Sequence, residues 1–148
     1  MGIHGCADLV SIYAPAPPST TDHKEYGPVT IAIPHTYALT GPIVVPSGAT
    51  GYLPTFFMPV PPGQTCALIG VRYMIRTPSD SCTIEIQQNG TNITGMTGLS
   101  VTSSPTTTTL TTAMDVFDND HFNVVVTAIG TAPDGLSVTF YFNYQIEL

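Results

Sequence analysis

The sequence predicts an all-β protein: an antiparallel β-sandwich, jelly-roll-like and built from seven or eight strands, with an extended N-terminal arm. The first indication is the stretch from Leu136 to Leu148, in which apolar residues alternate strictly with mostly polar ones, as on a strand with one buried face. The second is the supply of turn residues, 13 Gly and 14 Pro in 148 residues, which divide the apolar runs into short segments. The third is that no segment has the length and period of an amphipathic helix.

The arm is predicted to span residues 1–32. Four prolines, Pro15, Pro17, Pro18 and Pro28, lie there among small polar residues, and such segments favour extended backbone. The stretch "CADLVSIYA" before the prolines is apolar enough that we expect it to order against a partner; a disordered tail is the alternative interpretation. The predicted partner-binding residues of the arm are Leu9, Val10, Ile12 and Tyr13.

The sandwich domain is predicted to span residues 33–148. "GPIVVPSG" predicts a brief strand, and "YLPTFFMPVPPG", with four prolines, predicts an edge strand or a loop, because proline cannot donate to a ladder. "CALIGVRYMIR" predicts a strand with Arg72 and Arg76 on one face. The residues predicted on its other face are Ala67, Ile69, Val71, Tyr73 and Ile75.

The pair Asn89-Gly90 lies between two alternating runs in "CTIEIQQNGTNITG" and predicts a hairpin with a two-residue type I′ turn. This turn sets the register, and it places two isoleucines against the same core. The predicted pairs are Gln88 with Thr91, Gln87 with Asn92, and Ile86 with Ile93.

The Thr-rich stretch "GLSVTSSPTTTTLTT" predicts two strands around a Ser-Ser-Pro turn, with Leu99, Val101 and Leu110 facing inward. A mucin-like stalk is the alternative for such a composition. "DVFDNDHFNVVVTAIG" then predicts another strand, and a Pro-Asp-Gly turn leads from it into the final strand. The inward residues predicted for the strand before this turn are Phe122, Val124, Val126 and Ala128.

The charge of the chain excludes one class of partner and disfavours another. Only 9% of residues are charged and the net charge is −7. The three cations, Lys24, Arg72 and Arg76, are too few and too scattered to displace counterions from phosphates, so we expect no nucleic-acid partner. An anionic membrane surface is disfavoured for the same reason, and no apolar run reaches the ~20 residues that span a bilayer. The start of the chain lacks the features of a signal peptide, so we expect synthesis and folding in a cytoplasm.

The cysteines and acidic residues are predicted to have structural roles and not catalytic or metal-binding ones. Cys6, Cys66 and Cys82 are an odd number without CxxC spacing, which argues against a zinc site or a disulfide framework; a Cys66–Cys82 bridge is the alternative. Cys82 shares its parity with two isoleucines and is expected to pack as a small apolar residue. The acidic run "DVFDNDHF" lacks the fixed spacing of a calcium loop and is interpreted as a tight turn. No nucleophile, zinc or phosphate-loop motif occurs, so we predict no catalytic residue, cofactor or metal, and no enzyme.

One long stretch of the chain, roughly residues 65–144, resembles a β-sandwich module of virion structural proteins of tailed bacteriophages, especially those infecting actinobacteria. The features shared are a strand ending in Asn-Gly, then "GLSVTSSPTTTT", then a D-x-D that opens "VVVTA", and a closing P-x-"GLSVTFYF". The sequence departs from the usual pattern at His121 and Phe122, where a charged residue is common.

The resemblance implies a non-enzymatic virion protein, a capsid decoration or minor capsid protein that binds the outer surface of the phage head and stabilises it. The implied partners are the major capsid protein lattice and further copies of the chain, as a trimer, in a virion assembled in the host cytoplasm. The alternative is a tail-tip or fibre receptor-binding domain that recognises a host surface glycan or protein. The outer face of the last strand, with Tyr141 among Asn, Gln and Thr, is expected to meet a neighbouring subunit; an ordinary solvent-facing surface is the alternative.

Overall fold

The computed structural model describes residues 29–45 and 55–146. Nine strands occur in these two ranges, and no helix is found within them. The strands are β1 (Val29–Ala38), β2 (Phe56–Phe57), β3 (Gln64–Met74), β4 (Cys82–Gln88), β5 (Thr91–Asn92), β6 (Leu99–Val101), β7 (Thr106–Val116), β8 (His121–Ile129) and β9 (Ser137–Ile146). Residues 29–32, which belong to the predicted arm, form the first part of β1. The four arm residues predicted to bind a partner, Leu9, Val10, Ile12 and Tyr13, lie outside the described residues.

The strands form two antiparallel sheets. The first sheet has the order β1-β9-β3-β7, and the second has the order β2-β8-β4-β5, with β6 also paired to β4. Counted along the chain, β1 pairs with β9, β2 with β8, β3 with β7, and β4 with β6. The described strands therefore follow the path of one long antiparallel hairpin rolled into a sandwich, which is the jelly-roll arrangement. The predicted fold class is confirmed, although the strands number nine because several of them are only two or three residues long.

The core lies between the sheets and is rich in phenylalanine. Phe140 of the first sheet is completely buried, and its ring centroid lies 4.9 Å from that of Phe56 and 5.8 Å from that of Phe122 in the second sheet. The alternation predicted for the last strand is confirmed, because its even-numbered residues up to Tyr144 face this core. The completely buried residues of that set are Leu136, Val138, Phe140 and Phe142.

The Asn89-Gly90 hairpin is confirmed in turn type and in register. Asn89 has φ of 52° and Gly90 has φ of 78°, the two positive values that a type I′ turn requires. Gln87 pairs with Asn92 and Gln88 with Thr91, as predicted. Beyond these pairs, the Ile93 amide donates to the Ile86 carbonyl at 3.0 Å, and both side chains are buried.

Two of the five residues predicted to face inward from β3 do not do so, because a β-bulge changes the parity of the strand. The registers of β3 with both neighbours shift between Leu68 and Gly70. Against β9, Ile69 is one extra residue in β3, whereas against β7 the partner changes from Met114 to Thr109. Before the bulge Cys66 and Leu68 are buried, and the predicted inward facing of Ala67 and Ile69 is wrong. After the bulge the prediction holds, and the buried residues are Val71, Tyr73 and Ile75.

A second bulge changes which residues face inward at the end of β8. Thr83 of β4 pairs with Ala128 but Ile84 pairs with Val126, so Thr127 is the extra residue. Ala128 is consequently exposed and its predicted inward facing is wrong. The other three residues predicted to face inward, Phe122, Val124 and Val126, are buried.

The strand predicted for "GPIVVPSG" is wrong in its described part, residues 41–45. Pro42 forms an isolated bridge with Asp134, and no strand is assigned to residues 41–45. The amide of Ile43 donates to the Pro133 carbonyl at 2.9 Å, and the Ile43 side chain is buried. A loop that inserts one apolar side chain into the core therefore takes the place of a strand.

Three further predictions hold. In its described part, residues 55–63, the proline-rich segment contributes only the edge strand β2. The Thr-rich stretch forms β6 and β7; Leu99 and Val101 are buried, and Leu110 is partly buried and packs against the core. Cys82 is buried in the core, and neither it nor Cys66 is in a disulfide, so the alternative bridge is not formed.

Candidate docking surfaces

The outer face of the first sheet is broad, polar and nearly uncharged. It is formed by the residues of β1, β9, β3 and β7 that point away from the core. Its members are Thr30, Ala32, Pro34 and Thr36; Ser137, Thr139, Tyr141, Asn143 and Gln145; Thr65, Ala67, Arg72 and Met74; and Thr107 and Asp115. Only Arg72 and Asp115 among them carry a charge. Such a surface loses little hydration energy when it is covered, which favours contact with another protein.

Tyr141 lies in the middle strand of this face, where the sequence predicted a contact residue. It is opposite Pro34 on one side and opposite Gly70, at the β3 bulge, on the other. It also borders a shallow hollow of about 190 Å³ whose lining includes Arg72 and Thr139. A half-buried aromatic ring beside a hollow is the type of group that anchors protein interfaces.

The local backbone around Tyr141 depends on a glycine. A Cβ atom added to Gly70 would lie 2.7 Å from the carbonyl oxygen of Thr108 in β7, which is too close for any side chain. Glycine therefore permits the close approach of β3 and β7 at the bulge. The hydroxyl of Tyr73 reinforces this contact with a 2.9 Å hydrogen bond to the Thr108 hydroxyl.

A second surface is the β1 strip, which consists of Val29, Ile31 and Ile33. The β9 partners of Ile31 and Ile33 are the core residues Tyr144 and Phe142, so the strip faces the inner side of the sheet, yet its members are 41–43% exposed. The reason is the length of β2, which has two residues against ten in β1. Phe56 of β2 stacks on the far end of β1, at 4.8 Å from His35 and 4.7 Å from Tyr37. The β1 strip extends past this cover.

A third surface, the end groove, lies at the turn between β7 and β8 and has a volume of about 370 Å³. Its lining includes Asp115, Phe117 and Asp118 from the end of β7 and the turn after it, and Pro61 and Pro62 from the segment before β3. Phe117 is 69% exposed, so its ring is accessible to a ligand in the groove.

The turn beside the end groove is held by Asp120. Its carboxylate accepts hydrogen bonds from the Phe117 amide at 2.8 Å and from the side chains of Gln88 and Asn89 at 2.6 Å each. Burial raises the pKa of Asp120, but the hydrogen bonds from Asn89, Phe117 and Gln88 outweigh it, so the net pKa is lowered. The acidic run is thus a turn, as predicted, and no group of His, Cys, Asp and Glu within residues 29–45 and 55–146 is placed to hold a metal ion.

The buried thiols and phenol belong to the core. Burial, aided by the charge of Asp80, raises the pKa of Cys82 to about 11, and burial also raises that of Cys66. The Tyr144 hydroxyl donates to the Pro59 carbonyl at 3.1 Å, and burial together with Cys66 raises its pKa to about 12. All three groups therefore stay protonated near neutral pH and pack as neutral groups.

The structure places one predicted contact residue, Tyr141, on a candidate docking surface. The β1 strip and Phe117 were missed by the sequence reasoning. The alternation of Val29, Ile31 and Ile33 in "VTIAIPHTYA" is a visible strand signal, but nothing in it indicates that the opposite strand is too short to cover them. Phe117 was read only as part of an acidic turn.

Comparison with known proteins shows the fold. No family model matches the chain, and no curated protein matches its sequence. The solved structure of the cyanophage Pam1 capsid asymmetric unit contains a chain with a TM-score of 0.52 and 16% sequence identity. The alignment covers 82% of this chain and 87% of that chain. Among the described residues, no helix is long and apolar enough to cross a membrane.

Proposed function

We propose that this protein is a non-enzymatic virion structural protein of a tailed phage, a decoration or minor capsid protein that binds the outer surface of the head lattice and stabilises it. The partners are the major capsid protein and further copies of the same chain, in a trimer on symmetric sites of the lattice. The protein is assembled onto the particle in the host cytoplasm.

One observation carries the proposal: the fold extends over more than four-fifths of a chain from a phage capsid asymmetric unit. The sequence resemblance to phage virion modules supports the same role from independent features, because it rests on the hairpin, the Thr-rich strands and the closing strand. The net charge of −7 favours the outside of the head, away from packaged DNA, because like charges repel.

The outer face of the first sheet is the surface proposed to meet the lattice. It is broad and carries only two charges, one of each sign. Covering it therefore does not bury a cluster of unpaired charges. Two of its side-chain pairs already bond to each other, Thr36 with Thr139 at 2.9 Å and Thr65 with Gln145 at 3.4 Å. Polar groups that already bond to each other lose less hydrogen-bond energy when water is displaced from the surface.

The test is the amount of this protein on purified particles. Tyr141→Glu places a charge in the middle of the proposed contact and should weaken binding by about tenfold or more, as expected for an aromatic anchor. The matched control is Phe57→Glu on the second sheet, where Phe57 is 64% exposed and lies outside the proposed contact. Cryo-EM occupancy and quantitative mass spectrometry of the particles measure both variants. Particles that lack the protein, or equal occupancy for the two variants, contradict the proposal.

The end groove favours a second candidate function, a receptor-binding domain of the tail tip. It is concave and combines an exposed aromatic ring, Phe117, with the carboxylates of Asp115 and Asp118, groups that stack on and hydrogen-bond to sugars. A glycan array tests it: specific capture that Phe117→Ala abolishes and Phe57→Ala leaves intact supports a receptor-binding role in place of head decoration. If the native chain captures no glycan, the result supports the first proposal.

A further inference from the structure

The β1 strip lies beside a free sheet edge. β1 is the first strand in its sheet, and no described strand pairs with it on the side away from β9. All but one of its ten residues are exposed, and none carries a carboxylate, an ammonium or a guanidinium group. Natural proteins commonly protect such edges with lysines or other charges, and β1 has only Pro34.

The free edge presents backbone N–H and C=O groups beside the β1 strip, and the position of Pro34 shows which residues they belong to. A proline within an antiparallel pair must turn its missing N–H toward the edge, so the even-numbered residues of β1 point their backbone groups away from β9. The odd-numbered positions face β9 instead: just after β1, the Leu39 amide donates to the Leu136 carbonyl at 2.7 Å. The N–H and C=O groups of Thr30 and Ala32 are therefore directed to the free edge, next to Val29, Ile31 and Ile33.

We propose that the arm segment Leu9–Tyr13 of a neighbouring copy of this chain binds there, adding a strand to the edge of β1 and covering the β1 strip. Four of its five residues are apolar, and its length matches the span from Val29 to Ile33. Backbone hydrogen bonds to Thr30 and Ala32 and apolar contacts with the strip would act together, as in other cases of strand addition. The inference rests on the homo-oligomeric part of the proposed function and is independent of where in the virion the protein sits.

The spacer between the segment and β1 is long enough for exchange between copies. Residues 15–28 include four prolines, and an extended chain of that length reaches ~43 Å at ~3.1 Å per residue. That exceeds the ~33 Å length of a ten-residue strand. A proline-rich spacer of this length is sufficient to place the segment on the β1 edge of a neighbouring copy.

Crosslinking of two full-length variants tests the proposal. Both variants carry Cys6→Ser; one also carries Ser11→Cys in the arm, and the other Ala32→Cys at the edge. Cys66 and Cys82 are 3% and 2% exposed and do not compete for a thiol crosslinker. The control replaces Ala32→Cys with Ile129→Cys in the second sheet, where Ile129 is 39% exposed, close to the value for the strip.

The mixture of arm and edge variants should give at least about tenfold more crosslinked dimer on a denaturing gel than the mixture with the control, because a docked arm raises the local concentration of the two thiols. Adding Ile31→Gln to the edge variant should remove most of this excess. Equal crosslinking of edge and control overturns the proposal. So does a single chain with both Ser11→Cys and Ala32→Cys that forms only an internal crosslink. Particle occupancy is measured separately, so copies that crosslink in solution but never bind heads contradict the proposed function alone.

Discussion

Replacement of Phe140 by alanine, compared with the same replacement of its neighbour Tyr141, tests whether the last strand has one buried and one outer face. Phe140 is completely buried, and its ring contacts aromatic rings of both sheets, with centroid distances of 4.9 Å to Phe56 and 6.1 Å to Phe142. Truncation of a buried phenylalanine removes its burial energy and leaves a cavity, which together cost ~3–5 kcal/mol. Against a total stability of ~5–15 kcal/mol for a domain, that is a large fraction.

Tyr141→Ala is the matched control, because it removes an aromatic ring one residue away on the opposite face. The ring is half-buried on the outer face, so we expect a loss below ~1 kcal/mol. Urea unfolding followed by far-ultraviolet circular dichroism measures both variants, and the chain has no tryptophan to use as a probe. The expected result is a large drop in midpoint for Phe140→Ala at unchanged slope. Equal losses for the two variants would refute the reasoning, because the inward and outward sets of β9 would then be indistinguishable.

Three further outcomes are expected. Gly70→Ala should lower the free energy of unfolding by ~1–3 kcal/mol in urea titrations, because the new methyl group collides with the β7 backbone, whereas Thr109→Ala on the exposed side should change it little. The Asp80 carboxylate accepts three backbone amides at 2.6–3.0 Å, and these bonds, that of Ala132 foremost, lower its pKa. Its stabilising effect is therefore present above the usual carboxyl pKa of ~3.9 and lost as pH falls through the lower folded value. Asp80→Asn should flatten the acid limb of the melting-temperature profile, and an unchanged limb contradicts the assignment. Cys82, whose pKa is raised to about 11, should be alkylated only after unfolding, as read by peptide mass mapping; rapid labelling of the native protein is the contrary result.

Alternation and turn chemistry by themselves determined the fold class, the last strand and the Asn89-Gly90 hairpin. These features depend on residues close in the chain: a strand shows its two faces in a period of two, and a type I′ turn needs two residues that tolerate positive φ. The observed register, Gln87 with Asn92 and Gln88 with Thr91, follows from the turn alone. Tyr141 was assigned to the outer face for the same reason.

Only the tertiary structure decided the bulges, the strand order and the exposed surfaces. The extra residues at Ile69 and Thr127 leave no local mark in the sequence, since a bulge is set by how two strands fit side by side. The β1 strip is exposed because β2, far away in the chain, is too short to cover it. Local patterns record which side of a strand is apolar, but what lies opposite that side depends on pairing between distant segments.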